Sequence, residues 1–480
     1  MSCCNNDSKK KLNVLFFGID SLRRDHMSLY GYKRQTTPNI AKYLSDGVVF
    51  ENCFSPSVPT TPGYSSMMTG LDIFSTDVVA LRHEGDLALG VKTLAEILGE
   101  RGYNTTCVGF RGNVGGRGYQ KYIDFDGWFA DRGDGRAHKA ENLNDVAIPE
   151  LERLARIYKD EDKPFFLFLR HMDPHAPYLP PYQFSRMFYQ GNEFDPSNRS
   201  LKECYEFKPF RDFFLSWFPA GCTDAAYITA QYDAAIAYMD SCIAGLFQKL
   251  ADLGLEEETL VVFTSDHGET HTEHSCYFDH HGIYEPTLVV PFAFKLKNCP
   301  VISGRRFDDC CQVKDIVPTM LDILKIDTGI KFDGRSLMKL LRHGAVRQES
   351  EMYITEATWM RKHGWRTPEW KLIAALEPDF HYKPAVELYN LIDDPLENSN
   401  IADKEPAVVK FLTERMNAFI AKREKETGRT NPMVTNAAKW NGFGKAFGSS
   451  DEAYNSLHIG DPAEAQKLQA KLAEIGVDIK

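Results

Sequence analysis

Residues 12–20 read Leu-Asn-Val-Leu-Phe-Phe-Gly-Ile-Asp, an apolar run of strand length that ends in a carboxylate. The run does not alternate between apolar and polar side chains, which is the pattern of a strand buried on both faces of a parallel sheet. Two further runs, 164–170 and 260–265, have the same form, and the second leads directly into Asp266 and His267. Because the carboxyl ends of parallel strands meet at one edge of an open α/β sheet, these polar side chains are expected to share a ligand-binding edge.

Helical patterns fill the intervals between these strands, at 93–100, 144–159 and 227–253. The alternation predicts an α/β fold with a mostly parallel central sheet flanked by helices. Near residue 346 the pattern changes to shorter strands, so residues 1–345 are assigned to the catalytic domain and residues 346–480 to a smaller α+β subdomain with a helical tail. The subdomain is expected to hold strands at 351–356, 371–376 and 386–391 and a helix at 405–423.

Two segments have more than one interpretation. Residues 183–222 are rich in aromatic side chains and longer than an ordinary connection. They fit either a lid or pocket wall, or a helical insertion that packs on the main body. The charged helix expected at 462–475 fits either a contact with a second copy of the chain, giving a homo-oligomer, or a solvated tail.

The bulk properties favour a small-molecule partner. The chain has 56 basic and 67 acidic residues and a net charge of −11, so binding of nucleic acid is not expected. No apolar run approaches the roughly 18–20 residues of a membrane span. The first residues lack the apolar core of a secretory signal, and a cytoplasmic location is expected. The 11 cysteines show no C-x-x-C spacing and are expected to be mostly buried free thiols.

Asp20, Asp266 and His267 form the strongest chemical signal, because each follows a buried strand directly. Two carboxylates and an imidazole suit a divalent cation such as Mn²⁺, Zn²⁺, Ca²⁺ or Mg²⁺. Any one of these residues alone would more often be a helix cap or a loop residue than a metal ligand. Together they predict one divalent metal site.

Residues 57–70 read Ser-Val-Pro-Thr-Thr-Pro-Gly-Tyr-Ser-Ser-Met-Met-Thr-Gly. Alone, the segment also fits a Pro-rich turn in which Thr60 caps a helix. It resembles the active-site segment of the alkaline phosphatase and sulfatase superfamily, in which the nucleophile is followed two residues later by Pro and nine residues later by Thr-Gly. Thr60, Pro62 and Thr69-Gly70 match that spacing. A nucleophile at a helix N-terminus meets the positive end of the helix dipole, which together with a metal favours its ionised form.

The resemblance runs from about residue 12 to residue 403 in the family's order. It implies an alkaline-phosphatase-like sheet, a metal-dependent ester hydrolase and a small-molecule ester substrate. The segments that are similar to the family's landmarks are 13–20 with Arg23 and Tyr30-Gly31, 174–177, 264–269, 280–286 with 290–291, 315–324, 333–337 and 387–398.

Two departures from the sulfatase pattern bear on the substrate. Sulfatases begin the active-site segment with Cys or Ser and place Arg four residues later, so that the first residue is oxidised to formylglycine; here Thr60 and Tyr64 occupy those positions. Sulfatases also usually have two adjacent Asp residues in the opening motif, whereas this chain has Asp20-Ser21. The resemblance therefore implies a Thr nucleophile and a single-metal site similar to those of phosphonate monoester hydrolases and phosphoglycerol transferases.

The roles implied by the resemblance follow from charge. Asp20, Asp266, His267 and Thr60 are expected to hold the cation, and Thr60 is expected to attack phosphorus. His175 and one of His280 and His281 are expected to serve the leaving group, since imidazole can donate a proton near neutral pH. The spacing does not decide between the last two, and His175 also fits a structural histidine in a Pro-rich loop.

Arg111 and Asn113 lie in the Gly-rich segment 109–118, where sulfatases carry substrate-binding side chains. Contact with the substrate anion is expected here, and a surface loop is the alternative. Additional His and Cys residues follow His267 and could bind a second cation, and the sequence does not decide whether they do. The expected function is hydrolysis of a phosphodiester or phosphonate monoester; a sulfuric ester hydrolase working without formylglycine and a non-catalytic metal-binding protein are the alternatives.

Overall fold

The structure is a computed structural model. It describes residues 10–435, apart from residues 82, 84, 129–131, 207–216, 300, 302, 345–349, 359, 377, 378 and 380. Within these residues the strands form two sheets. The strands are β1 (Asn13–Ile19), β2 (Val48–Phe54), β3 (Ser57–Val58), β4 (Asn104–Val108), β5 (Lys121–Ile123), β6 (Phe165–His171), β7 (Thr259–Ser265), β8 (Val289–Lys295), β9 (Arg305–Gln312), β10 (Met352–Ala357), β11 (Arg361–Arg366), β12 (Trp370–Ala375) and β13 (Val386–Asn390).

The larger sheet has eight strands among the described residues, in the order β5-β4-β6-β1-β7-β8-β2-β9. Its pairs are parallel from β5 to β7 and again between β2 and β9, while β8 is antiparallel to both of its neighbours. The three predicted buried strands are β1, β6 and β7, which lie side by side at the centre, and the predicted mostly parallel α/β fold is confirmed.

Helices cover both faces of this sheet. On β1, Val14 and Phe16 point into the apolar cluster beneath α2 (Thr60–Thr69) and α4 (Leu94–Glu100), whereas Leu15 and Phe17 point into the cluster beneath α5 (Lys139–Glu161) and α8 (Ala225–Asp252). This two-sided burial explains why the strand sequence does not alternate. The α-helices are α1 (Pro38–Leu44), α2 (Thr60–Thr69), α3 (Ile73–Thr76), α4 (Leu94–Glu100), α5 (Lys139–Glu161), α6 (Tyr182–Ser185), α7 (Lys202–Glu206), α8 (Ala225–Asp252), α9 (Glu285–Leu288), α10 (Ile316–Ile323), α11 (Met338–His343), α12 (Pro406–Thr427) and α13 (Pro432–Thr435).

The smaller sheet has the order β13-β12-β11-β10-β3. The predicted strands at 351–356, 371–376 and 386–391 correspond to β10, β12 and β13, and the prediction missed β11. Its last strand, β3, comes from the segment that precedes Thr60 and pairs parallel with β10. The C-terminal subdomain and the expected catalytic domain therefore share a sheet, although the predicted boundary at 345–346 falls outside the described residues.

The aromatic segment 183–222 packs against the main body where the structure describes it. Trp217 and Phe218 are buried, and Phe218 contacts Phe278 with ring centroids 5.5 Å apart. These contacts agree with the interpretation of a packed insertion. The expected tail helix at 462–475, and with it the expected contact between subunits, lies outside the described residues.

Two simpler expectations can be compared with the described part of the chain. No helix found there has both the length and the apolarity that crossing a bilayer requires. The free thiols are, as expected, mostly buried: Cys53, Cys107, Cys204, Cys222, Cys242, Cys276 and Cys311.

Candidate active site

The predicted metal residues meet at the carboxyl edge of the central sheet. Asp20 follows β1, and Asp266 and His267 follow the adjacent strand β7; all three are fully buried. One ligand atom from each lies within 4.8 Å of the other two. His267 Nε2 is 3.4 Å from Asp266 Oδ2 and 3.9 Å from Asp20 Oδ1. The structure thus brings together the three side chains expected from the sequence.

The donors of this cluster fit a divalent cation. Asp266 Oδ2 is buried and accepts no hydrogen bond from the described residues. His267 Nδ1 lies 2.7 Å from the carbonyl oxygen of Gly268, which fixes the proton on Nδ1 and leaves the Nε2 lone pair directed into the cluster. Burial, and then the charge of Asp20, raise the pKa of Asp266 well above its usual range. A cation would remove this repulsion between two buried carboxylates.

Arg170 stabilises the charge of Asp20. Its guanidinium donates to Asp20 Oδ2 through Nε at 3.1 Å and also through Nη2. Burial alone would raise the pKa of Asp20, but the charge and hydrogen bonds of Arg170 outweigh it and hold that pKa well below its usual range. Arg170 had no predicted role, although a charged residue closing the apolar run 164–170 was the available signal.

Thr60 is the first residue of α2 and lies beside the cluster. Its Oγ1 is 3.1 Å from His267 Nε2. Two ligands of one tetrahedral cation lie about 3.4 Å apart when each is bound at about 2.1 Å, so this spacing suits a shared ion. All ten residues of α2 are buried. The helix approaches the cluster closely because Gly63 has no side chain: a Cβ there would lie 2.6 Å from the carbonyl oxygen of Asp266.

His175 faces Asp20 from the loop after β6. Its Nε2 is 4.0 Å from Asp20 Oδ1, and its Nδ1 is 2.7 Å from the carbonyl oxygen of Ala176. Burial lowers the pKa of His175 to about 4. The indole of Trp128, which is 49% exposed, packs edge-on against the imidazole with ring centroids 5.1 Å apart. Trp128 therefore borders the site, and nothing in the sequence pattern singled it out.

The structure distinguishes between His280 and His281. The His280 ring lies 4.7 Å from the His267 ring and 5.6 Å from the His175 ring, between centroids. The His281 ring instead points toward the C-terminal subdomain, with Nδ1 3.0 Å from His381 Nε2. Of the two histidines that the sequence left open, His280 is the one beside the cluster.

Asp279 controls the environment of His280. Its Oδ1 lies 2.9 Å from His280 Nδ1. Burial alone would lower the pKa of His280, but the charge and hydrogen bond of Asp279 raise it to about 10. Glu269, Asp279 and His280 also form a second group of ligand atoms within 4.8 Å of one another. This is the donor set that a second cation, left open by the sequence, would have; His280 is one of the additional histidines after His267, whereas His271 and His274 are not in the group.

Of the two residues predicted to contact the substrate anion, Asn113 lies beside the start of α2 and Arg111 lies on the surface. Asn113 Nδ2 is 3.5 Å from Thr61 Oγ1, one residue from Thr60. Arg111 is exposed and pairs with Asp124 at 2.9 Å on the surface. The glycines of this loop allow it to contact α2, since a Cβ at Gly115 would lie 3.0 Å from the backbone nitrogen of Ser65. The structure brings Asn113 to the start of α2 and does not place Arg111 against the acidic cluster.

Comparison with known proteins gives two family matches. The sulfatase family matches residues 12–326, and the C-terminal region of N-sulphoglucosamine sulphohydrolase matches residues 272–423. A sulfatase of Formosa agariphila is 22% identical over 395 residues, covering 71% of this chain and 76% of its own length. The multifunctional alkaline phosphatase superfamily protein PehA of Trinickia caryophylli is 24% identical over 409 residues, covering 69% of this chain and 77% of its own.

Solved structures show the same fold. A phosphonate monoester hydrolase of Agrobacterium radiobacter superposes with a TM-score of 0.69 at 20% identity, covering 86% of this chain and 96% of its own. One from Silicibacter pomeroyi superposes with a TM-score of 0.66 at 17% identity, with the same coverage of 86% and 96%. The chain therefore belongs to the sulfatase family of the alkaline phosphatase superfamily and is a hydrolase of phosphate or sulfate esters.

Proposed function

We propose that the chain is a metal-dependent hydrolase of phosphate esters, acting on a phosphodiester or a phosphonate monoester through a covalent intermediate on Thr60. The observation that carries this proposal is the position of Thr60 Oγ1, which lies 3.1 Å from His267 Nε2 at the start of α2. A side chain that only capped the helix would have no reason to face a buried cluster of two carboxylates and an imidazole.

The proposed ligands of one divalent cation are Asp20, Thr60, Asp266 and His267. When bound, the ion supplies positive charge that favours the ionised Thr60 hydroxyl and neutralises the non-bridging oxygens of the substrate. Mn²⁺, Zn²⁺, Ca²⁺ and Mg²⁺ all accept this mixture of oxygen and nitrogen donors. Glu269, Asp279 and His280 would hold a second ion only if His280 did not carry a proton.

In the first step, Thr60 has given up its hydroxyl proton to solvent, and its Oγ forms a bond to phosphorus while the bond to the leaving oxygen breaks. The N-terminus of α2 stabilises the negative charge on Thr60, because the first backbone N–H groups of a helix lack internal partners. The leaving oxygen takes a proton from His280, whose other ring nitrogen is held 2.9 Å from Asp279 Oδ1. His175 is proposed to contact the ester from the neighbouring side, beside Asp20.

In the second step, water attacks the phosphorylated Thr60 and the bond between Oγ and phosphorus breaks. His280, neutral after the first step, accepts the proton of the water. Asn113, beside Thr61, is proposed to bind a non-bridging oxygen of the substrate. Arg111 would contact the anion only after leaving Asp124, so its proposed role in substrate binding depends on movement of that surface pair.

A sulfuric ester hydrolase remains the rival within the family, since several relatives are named as sulfatases. The methyl group on the Thr60 β-carbon argues against it, because threonine cannot be oxidised to the aldehyde of formylglycine. Sulfate turnover would then require direct attack by the Thr60 hydroxyl. A non-catalytic metal-binding protein is the second rival.

The test is turnover of four esters by protein that has been stripped with chelator and supplied with Mn²⁺, Zn²⁺, Ca²⁺ or Mg²⁺. The esters are bis-p-nitrophenyl phosphate, p-nitrophenyl phenylphosphonate, p-nitrophenyl phosphate and p-nitrophenyl sulfate. We expect metal-restored turnover of the diester or the phosphonate, abolished in Thr60→Ala. Thr76→Ala is the control, because Thr76 is also buried but its hydroxyl accepts a hydrogen bond from the backbone nitrogen of Val78. Dominant sulfate turnover would favour the sulfatase, and no turnover with any metal would favour the non-catalytic protein.

A further inference from the structure

The C-terminal subdomain holds the segment 279–284, which carries His280, at two points. Near one end, His281 Nδ1 is 3.0 Å from His381 Nε2, and His281 Nε2 is 3.8 Å from Asp279 Oδ2. At the other end, the Tyr284 hydroxyl donates to Glu387 Oε2 at 2.8 Å. His281 thus lies between the C-terminal subdomain and Asp279, whose carboxylate contacts His280.

The residues that make both contacts, His381 and Glu387, are connected to Lys362 on β11. Its ammonium pairs with Asp379 Oδ2 and lies 3.6 Å from Glu387 Oε1. Asp379 Oδ1 in turn accepts a hydrogen bond of 2.6 Å from the backbone nitrogen of His381. Lys362 therefore connects Asp379, which accepts from the backbone of His381, with Glu387, which accepts from the Tyr284 hydroxyl.

This ionic group is deeply buried, with 2% of Lys362 and 1% each of Asp379 and Glu387 exposed. Burial alone would lower the pKa of Lys362, but these two carboxylates and Glu356 raise it far above its usual range, so the ammonium stays charged. Burying such charges costs several kcal/mol per ion, and well-packed apolar residues often stabilise a fold at least as well. Stability alone does not explain why a Lys occupies this position.

The strand register connects the same group to the nucleophile. Lys362 pairs with Glu356 across β11 and β10, and Glu356 pairs with Val58 across β10 and β3. Val58 lies two residues before Thr60. The smaller sheet consequently supports the two segments that must keep a fixed separation, one carrying the nucleophile and one carrying the leaving-group histidine.

We propose that Lys362 and His381 are positioning residues for His280. Lys362 fixes the segment 279–284 through Asp379 and Glu387. His381 contacts His281 and thereby fixes the Asp279 carboxylate against His280. The inference rests on the proposed function, in which His280 protonates the leaving oxygen. Misplacement of His280 then slows the hydrolysis of esters with a poor leaving group more than that of esters with a good one, because only the former need the proton in the transition state.

The test compares kcat and KM for p-nitrophenyl and phenyl esters of phenylphosphonate in the metal-loaded enzyme. His381→Phe removes the contact with His281, and Lys362→Met removes the shared cation. His363→Phe is the matched control, since His363 is the next residue of β11, on the opposite face, and bonds to the Tyr353 hydroxyl instead. We expect His381→Phe to lower kcat on the phenyl ester about tenfold more than on the p-nitrophenyl ester, with KM unchanged, and His381→Gln to restore part of the loss because its amide nitrogen can replace Nε2.

The outcomes separate this inference from the function on which it rests. Full activity of Thr60→Ala would reject the proposed function itself. If Thr60→Ala is inactive but His381→Phe loses the same factor on both esters, or no more than His363→Phe, the positioning role is overturned and the proposed function stands. Lys362→Met could fail to fold, because it leaves two buried carboxylates without their cation. The comparison of His381→Phe with His381→Gln would then still test the positioning role.

Discussion

Gly63 packs so tightly against Asp266 that a Cβ on Gly63 would lie 2.6 Å from the Asp266 carbonyl oxygen. Gly63→Ala must therefore push α2 away from the metal residues and move Thr60 with it. We expect the variant to lose at least about 100-fold in kcat, the order of loss that a displacement of about 1 Å can cause. Steady-state kinetics with saturating metal measures the loss.

Gly245→Ala on α8 is the control for the same substitution in a helix. Its Cβ would meet nothing closer than Asn144 Nδ2 at 3.8 Å. Helix propensity then favours alanine, and the free energy of unfolding should rise by up to about 1 kcal/mol with activity unchanged. Equal activity of Gly63→Ala and Gly245→Ala would show that the packing of α2 on Asp266 does not set the position of Thr60.

A second prediction concerns the anchoring of helix α12. Arg423 Nη2 pairs with Asp72 at 3.0 Å and with Asp333 at 2.7 Å, and all three side chains are largely buried. Arg423→Met leaves two buried carboxylates close together, and we expect the free energy of unfolding to fall by roughly 3 kcal/mol. Arg415→Met, on the same helix, removes a half-exposed pair with Glu351 and should cost about 1 kcal/mol or less. Urea unfolding of both variants measures the difference, and equal losses would contradict the assignment of Arg423 as the anchor.

A third prediction concerns pH and metal binding. Because the pKa of Asp266 is raised well above its usual range, the metal-free folded protein keeps a proton on this carboxyl to a higher pH than the unfolded chain does. The metal-free fold consequently loses stability as the pH rises above the usual range of a carboxyl, and a cation must displace the proton to bind. We expect proton release on binding, and a gap in Tm between metal-loaded and metal-free protein that widens as the pH rises above the usual range of a carboxyl.

Calorimetric titration of the metal in buffers of different ionisation enthalpy counts the released protons. Arg170→Met provides a check, because without the guanidinium the pKa of the buried Asp20 should rise and this carboxyl should also release a proton. Metal binding that is independent of pH in both proteins would contradict the assignment of Asp20 and Asp266 as ligands.

The central sheet and the metal cluster were predictable because each rests on a local pattern. β1, β6 and β7 are apolar runs without alternation, and parallel pairing brings Asp20 and Asp266 to one edge regardless of the distance between them in the chain. The strand β11 was not predictable in this way. Its sequence, Arg-Lys-His-Gly-Trp-Arg, is mostly polar, and its Lys362 is buried against two carboxylates from later in the chain, Asp379 between β12 and β13 and Glu387 on β13.

The choice between His280 and His281 also depended on long-range contacts. The two rings are adjacent in the chain, and only the position of His381, 100 residues later, shows that His281 faces the C-terminal subdomain. Arg170 and Trp128 were missed because their roles depend on contacts between distant parts of the chain: Arg170 donates to Asp20, and Trp128 packs against His175.

The proposed mechanism requires a covalent bond between Thr60 and the phosphoryl group of the substrate. The most direct measurement is mass spectrometry of enzyme quenched in acid during turnover of bis-p-nitrophenyl phosphate with the activating metal. We predict a p-nitrophenylphosphoryl group on the peptide that contains Thr60, and no adduct in Thr60→Ala. An adduct on a different residue, or continued turnover of the diester by Thr60→Ala, would contradict the account.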